Sequence, residues 1–339
     1  PRQDWLDIYR AELKIAISDD TSVTLGRQEI SYGSRLVVGT PNYRNGRSFD
    51  AVQFRMDKES YKLSAAVGRQ VERDRSQLNS SVDQPWIATL FLDSPASGRD
   101  GLSWDSILAF KHRDADAGMP IDVGTWGVRI KSPKSHRPWF WSAEAAYQFG
   151  SVSRGVERLD HTAWAFNGRI GRRFNNLEWK PNFSVEYFHS PGDGNPNDGK
   201  NETWDLMFFG GGHPRAGRMD LTGWRNIQYL SFTAKAKPHK TLTLGASQTG
   251  FWLESDQDGF YGQAGGAPRN GNGYGIRPGA PSDLGWETMI WANWKHASGF
   301  SLLIEAGNFS VGDYIEDSLS DSGGARNAQL VSITGTFRF

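Results

Sequence analysis

The sequence predicts an all-β protein, an antiparallel transmembrane β-barrel with about fifteen strands in this chain. Three observations carry that prediction. Apolar and polar residues alternate with period two nearly from end to end. The connections between the alternating stretches are short and long in turn. The composition is poor in hydrophobic residues, at 37%, yet rich in aromatics, at 13% with 14 Trp and 19 Phe. A barrel strand shows one face to lipid and one to a polar interior, so its average hydropathy stays low while aromatic girdles raise the Trp and Phe content.

The bulk numbers narrow the field further. No run approaches the roughly 18 apolar residues of a membrane helix. Net charge is zero, with 38 basic and 38 acidic residues, so nothing in the overall charge points to nucleic acid or another polyanion. Cys is absent, which excludes thiol chemistry, disulfides and Cys-ligated metal. The chain opens on polar sequence at Pro1, and a barrel of this kind implies a leader that has been removed or omitted.

Taken in order, the alternation predicts strands over 6–17, 22–37, 47–57, 61–73, 84–93, 104–114, 121–132, 139–152, 160–174, 179–190, 226–237, 241–254, 284–296, 300–314 and 328–339. The pattern is clearest in the second half. Trp139, Trp141, Ala143, Ala145, Tyr147 and Phe149 share one face, against Ser142, Glu144 and Gln148 on the other. Leu230, Phe232, Ala234 and Ala236 oppose Ser231, Thr233, Lys235 and Lys237. Trp141, Phe166, Phe232 and Ile333 are therefore expected to face lipid. The strand over 84–93 alternates less cleanly, but without it one connection would run about 30 residues on the side that otherwise has tight turns. Short connections include Ser18–Thr21, Phe174–Leu177 and Lys237–Lys240; long polar ones span roughly 191–225, 255–283 and 315–327. The strand over 22–37 breaks parity, because Arg27 and Glu29 fall on the face of Val23 and Leu25. A bulge near Gly26 would turn both charges inward and Ile30 and Tyr32 outward. Arg in mid-membrane costs about 2–4 kcal/mol, which favours the bulge.

From Thr24 past Asp50 runs TLGRQEISYGSRLVVGTPNYRNGRSFDAV, which resembles the core motif of the alginate-export family of outer-membrane porins. AEAAYQFG (Ala143–Gly150) resembles that family's Glu-containing strand, and VEYFHSPGD (Val185–Asp193) its tyrosine strand and following loop, with Pro191 as a departure. HPRAGRMDLTGWRNIQYL (His213–Leu230) resembles the next loop and strand. The resemblance implies a barrel of about eighteen strands in the outer membrane of a Gram-negative bacterium. It also implies a passage for alginate or another solute through an arginine-lined pore, with outer-membrane lipid as the surrounding partner.

The functional candidates lie on the polar faces. Arg27, Arg55, Arg129, Arg169, Arg173, Lys235 and Lys295 are expected to line the pore, with Lys131, Lys237 and Arg338 on the same faces. So are Glu29, Glu144, Glu186, Glu287 and Glu305. Arg35 and Asp50 join them because the family motif also places charges there. Base exceeds acid on these faces by about two to one, and rings of Arg and Lys suit anion pores. Anionic saccharides or small organic anions are the expected cargo. The plain alternative is that the charges pair with one another and brace the wall.

Other chemistries fit less well. Glu144 and Glu186 lie on different strands with no acid/base partner, which argues against a glycosidase. His112, His136, His161, His189, His213, His239 and His296 show no metal spacing, and neither a metal nor a cofactor is expected. The Asp/Asn/Gly-rich stretch Ser190–Asp205 lacks EF-hand spacing and reads as an outer loop. The Gly-rich stretch Gly259–Gly279 reads as a surface loop that could fold inward. A barrel-borne hydrolase would need a Ser/His or acidic cluster at one rim, and none stands out, so no enzyme is expected. A weakly selective diffusion pore and a loop-based receptor are the remaining alternatives.

The whole chain is expected to form one barrel domain. Its first strand descends from the outer side and its last ends inside, so the strand number is odd, whereas single-chain barrels have even numbers. That parity predicts an odd number of further N-terminal strands, about three by the family's usual count, or a second chain that supplies the pairing.

Overall fold

The structure is a computed structural model, and it describes residues 8–39, 46–72, 79–94, 101–133, 138–208, 216–262, 276–296, 299–319 and 325–337. Its strands are β1 (Ala11–Ser18), β2 (Thr21–Gln28), β3 (Phe49–Asp57), β4 (Lys62–Gln70), β5 (Trp86–Ser94), β6 (Ser103–Arg113), β7 (Ile121–Lys131) and β8 (Trp139–Arg154). They continue as β9 (Glu157–Arg173), β10 (Asn182–Ser190), β11 (Lys200–Asn201), β12 (Ile227–His239), β13 (Leu242–Trp252), β14 (Asp283–Lys295), β15 (Phe300–Val311) and β16 (Ala328–Phe337). One sheet holds them in chain order, each strand beside the next, with the two-residue β11 added in parallel beside β9. Among the described residues, helix is confined to a 3-10 turn at Ala115–Ala117 and to α1 (Asp313–Leu319). Among the described residues β1 carries a ladder with β2 only, and β16 with β15 only.

The predicted strands agree with this order closely, including the one expected over 84–93, which is β5. Two differ. β2 ends at Gln28 rather than near 37, and β15 gives way at Gly312 to α1, whose Tyr314 is fully buried. No bulge interrupts β2. Its register runs without a shift from Thr21 to Gln28 against β3, and through Gly26 against β1. Arg27 therefore stays on the face of Val23 and Leu25. The parity conflict is resolved otherwise: Arg27 lies at the strand end and forms a two-pronged ion pair with its cross-strand neighbour Asp50, at 2.8 and 3.0 Å.

The chain divides into two compact units. One comprises Pro1–Ile130, Glu144–Trp164 and Asn197–Arg215; the other comprises Lys131–Ala143, Ala165–Pro196 and Ala216–Phe339. In each, the two faces of the sheet differ sharply. In the first unit Gln53, Ala66, Ile87, Thr89, Ala109 and Val123 are buried beneath loop segments, while Val52, Val67, Leu90, Phe110 and Trp126 on the opposite face are exposed. In the second unit Ser184, Phe188, Tyr229, Glu287 and Met289 are buried, and Ile170, Phe183, Phe232, Ile290 and Ile304 are exposed. A face that is apolar and bare, backed by one that is mixed in polarity and covered, is the division a barrel wall needs between hydrocarbon and interior. Of the residues expected to face lipid, Trp141, Phe232 and Ile333 are exposed at 38%, 47% and 71%. Phe166 is on the same face but half-buried against Tyr187, ring to ring at 6.5 Å.

Connection length separates the two ends of the strands. At one end the turns are tight, as at Asp19–Asp20 between β1 and β2. There Asp20 accepts hydrogen bonds from Lys58, Ser18 and Thr21, which hold its carboxyl at about 2. At the other end most connections are long, but β6 and β7 are joined by the short stretch 114–120, and β8 and β9 join through a turn at Gly155 and run 16 and 17 residues, longer than their neighbours.

Ile333, near the middle of β16, is a direct test of the bare face. Ile333→Lys is expected to cost about 2–4 kcal/mol in urea-induced unfolding from phospholipid vesicles. Ser332→Lys, on the opposite face across from Glu305, should stay within about 0.5 kcal/mol of the parent.

Candidate pore lining and constriction

In the first unit the covered face is built by a segment that leaves the sheet. After Gln28 the chain folds over β3–β5, and Tyr32, expected to turn outward, is buried against them. Its hydroxyl lies 3.1 Å from Gln53 Nε2 and 3.2 Å from both Ser64 Oγ and Thr89 Oγ1, and its ring stacks on Phe91 at 4.8 Å. The inward turn follows from what the two options cost. A buried Tyr hydroxyl needs partners, and three inner-face polar groups on three adjacent strands supply them. Gly33 makes the departure possible: its φ is +56°, and a Cβ there would stand 2.8 Å from Asp105 Oδ1.

The tip of this segment then reaches across. Ser34 Oγ donates to Glu144 on β8 at 2.5 Å. Val38 forms a parallel bridge with Phe208, through Phe208 N to Val37 O at 3.1 Å and Gly39 N to Phe208 O at 2.9 Å. The second inward strip, residues 203–208, is locked by Asp205. Lys111 Nζ donates to both of its carboxylate oxygens, at 2.9 and 3.1 Å, and Gln148 exchanges hydrogen bonds with its backbone at 2.7 and 2.8 Å. Trp204 and Phe208 are fully buried beside it. The cations of this face are matched by acids: Lys111 by Asp205, and Arg129 by Asp105, with Nη2 and Nε at 2.7 and 2.9 Å from one oxygen.

The second unit has the same plan with a different charge outcome. Residues 216–226 fold over β12–β15. Arg218 lies 4.1 Å over the Trp291 ring and pairs with Glu305, its Nε at 3.0 Å, while the backbone amides of Arg218 and Met219 donate to Glu287 at 2.6 and 2.8 Å. Gly217, at φ +73°, permits this approach, since a Cβ there would stand 2.5 Å from the Glu287 carboxylate. Phe188, Trp224, Tyr229 and Phe251 form a continuous aromatic cluster under the segment. The two buried acids are thus compensated by the loop, not by the wall.

The wall's own cations are left over. Arg173, Asn182 and Lys235 form one cross-strand row, and Arg169, Glu186 and Ser231 another. Glu186 accepts from Asn167 at 3.0 Å and Tyr229 at 2.9 Å. Arg169 donates to Ser184 at 3.2 Å, and both Arg169 and Arg173 lie over the Phe140 ring, at 5.7 and 4.3 Å. Among the described residues, no carboxylate comes within 4.0 Å of Arg169, Arg173 or Lys235.

The remaining sequence candidates are dispersed. Arg27 and Asp50 pair on the bare face at the long-connection end, where Arg27 also donates to the carbonyls of Ile8 and Asn79. Glu29 is exposed and accepts from Tyr9. Arg35 is half-buried in the inward segment, at φ +73°. Arg55 and Lys295 are exposed on the covered-face parity of β3 and β14. Arg338 and much of the Gly-rich stretch lie outside the described residues. Asp105, Lys111 and Asp205 were not singled out from the sequence; parity along β6 would have placed the first two on the polar face. Arg218 sits in an aperiodic loop where no such signal exists.

Comparisons with known proteins agree with this geometry. Pseudomonas aeruginosa OccD3 (OpdP) has a similar structure, with a TM-score of 0.60 over 98% of this chain and 78% of that one, at 12% identity. OccK11 (OpdR) of the same organism gives 0.54 over 96% and 80%, at 12% identity. OpdO gives 0.55 over 88% and 73%, at 11% identity. No curated protein matches the sequence. The fold is an antiparallel transmembrane β-barrel of the outer-membrane porin kind, and the class is a channel of the Gram-negative outer membrane. The sequence profile for alginate export matches residues 2–329, and the chain belongs to the alginate export family.

Tyr32→Phe removes one hydroxyl from a buried cluster of four polar groups. It is expected to lower stability by about 1–3 kcal/mol in urea titrations, with far-ultraviolet circular dichroism unchanged.

Proposed function

We propose that this channel prefers anions and that its cargo is an anionic saccharide or a small organic anion. The observation that carries the reading is the charge imbalance on the covered face of the second unit. Glu287 and Glu305 are compensated by Arg218 and by backbone amides, whereas Arg169, Arg173 and Lys235 have no carboxylate partner among the described residues. A fork of donors at such a site replaces part of the hydration shell of a passing carboxylate. Phe140, under two guanidiniums, keeps them in place without neutralising them. In the first unit Arg129 and Lys111 are held in ion pairs and contribute less field; Arg55 and Lys295 are exposed cations at the short-turn end. Glu144 and Glu186 are the acids that tune the lining, the first through the inward segment and the second beside Arg169. Membership of the alginate export family supports the same cargo class. No step of bond making is needed, and the reading is of a passive conduit.

Reversal potentials in planar bilayers under a salt gradient test this. The parent channel is expected to select anions. Arg169→Ala and Lys235→Ala should each shift the reversal potential toward the cation side, and the double variant further. Clear cation selectivity of the parent would overturn the proposal, and equal permeability would favour a weakly selective diffusion pore.

A further inference from the structure

The bare face of the second unit is not uniformly convex. A groove of about 670 Å³ runs across it, within the size range of small-ligand sites. Its floor is set by register. Arg172, Phe183, Ala234, Ala246 and Ile290 are consecutive cross-strand neighbours on β9, β10, β12, β13 and β14. The adjacent row is Ile170, Val185, Phe232, Gln248 and Thr288. Two alanines side by side leave a hollow between the ridges formed by Phe183 and Phe232 and the side chain of Ile290.

The groove has a polarity. Arg172 and Phe183 stand one residue from the short-turn ends of β9 and β10. Ala234, Ala246 and Ile290 stand four or five residues from the corresponding ends of β12, β13 and β14. At about 3.3 Å per residue and a strand tilt near 40°, the alanine hollow lies roughly 10 Å deeper in the membrane than Arg172. The short-turn end is the periplasmic end of such a barrel. One end of the groove is therefore at headgroup level and the other within hydrocarbon.

Arg172 marks the headgroup end. Its side chain is exposed, and its guanidinium lies 5.4 Å over the Trp139 ring and 4.9 Å over Phe174. Among the described residues it has no carboxylate partner. Aromatic residues at this level hold an amphipathic interface, and a guanidinium braced by two rings presents its N–H fork outward. An unneutralised cation at the mouth of an apolar groove is complementary to a phosphate carrying an acyl chain.

We propose that this groove binds one anionic glycerophospholipid of the periplasmic leaflet, its phosphate on Arg172 and an acyl chain over Ala234 and Ala246. The site rests on the transmembrane barrel alone and is independent of cargo and ion preference. The lipid's negative charge offsets the lone arginine, and its chain fills a hollow that generic packing of lipid would leave poorly occupied.

Native mass spectrometry of the full chain, released from detergent with equimolar palmitoyl-oleoyl phosphatidylglycerol and phosphatidylethanolamine, tests it. The parent should retain a single saturable phosphatidylglycerol adduct at least threefold above phosphatidylethanolamine. Arg172→Gln should bring the ratio to about one, and Arg172→Lys should largely restore it. Ala246→Trp should remove both adducts, and Ala234→Leu serves the same purpose if the larger substitution impairs folding, which heat modifiability on gels reports. Equal retention of the two lipids by the parent would overturn the proposal. So would a preference unchanged in Arg172→Gln, or a preference for lipid A, the phosphorylated glycolipid of the opposite leaflet.

Discussion

Everything in this molecule follows from the absence of water in the bilayer core. Each backbone N–H and C=O that crosses it must find a partner inside the protein, at a cost of several kcal/mol if it does not. Antiparallel neighbours in chain order meet that demand with the shortest connections, and the sheet here keeps that order throughout. Once the backbone is committed, side chains have only two directions to point. The period-two division into a bare apolar face and a covered face that carries the polar groups is then forced, and both the candidate lining and the lipid groove inherit their positions from cross-strand register.

A wall alone does not make a selective passage. The segments that abandon the ladder cover one face of the sheet, and each does so by taking its polar groups to partners on that face. Tyr32 is satisfied by three strands at once, Asp205 by Lys111 and Gln148, and Glu287 by two loop amides. Because a half-satisfied buried network costs more than none, such segments settle into one arrangement. The same bonds decide which wall charges keep an acid partner within ion-pair distance. Where the loop brings its own acid or base, the wall charge is consumed; where it does not, as around Arg169 and Lys235, the charge persists.

Strand positions were legible because alternation and connection length are local properties. Thirteen-residue stretches such as β12 and β14 announce themselves, and even the blurred β5 was recoverable from the rhythm of its neighbours. The inward segments were not legible. "EISYGSRLVV" continues the alternation of β2, and only the left-handed backbone at Gly33 and Arg35, with partners far along the chain, shows that the strand has ended. Arg27 misled for a related reason. Parity puts it on the apolar face, which a regular strand allows only with a bulge or a partner, and the ion pair with Asp50 at the strand end supplies the partner. Pairings such as Lys111 with Asp205 or Arg218 with Glu305 join residues 94 and 87 apart in sequence, and no single-sequence pattern encodes them.

The long hairpin of β8 and β9 has a practical corollary. About ten residues suffice to cross the hydrocarbon, so each of these two strands is longer than the crossing needs, and the outer end of β8 stays tied to the residue before β7, Ser153 N donating to Pro120 O at 3.1 Å. Val156 at the tip is wholly exposed. A peptide tag grafted at Gly155–Val156 would sit on the exposed turn of a hairpin that β11 braces beside β9. Intact cells could then be stained, counted and sorted by how much of this protein they display, without opening the membrane and without touching the conduit itself.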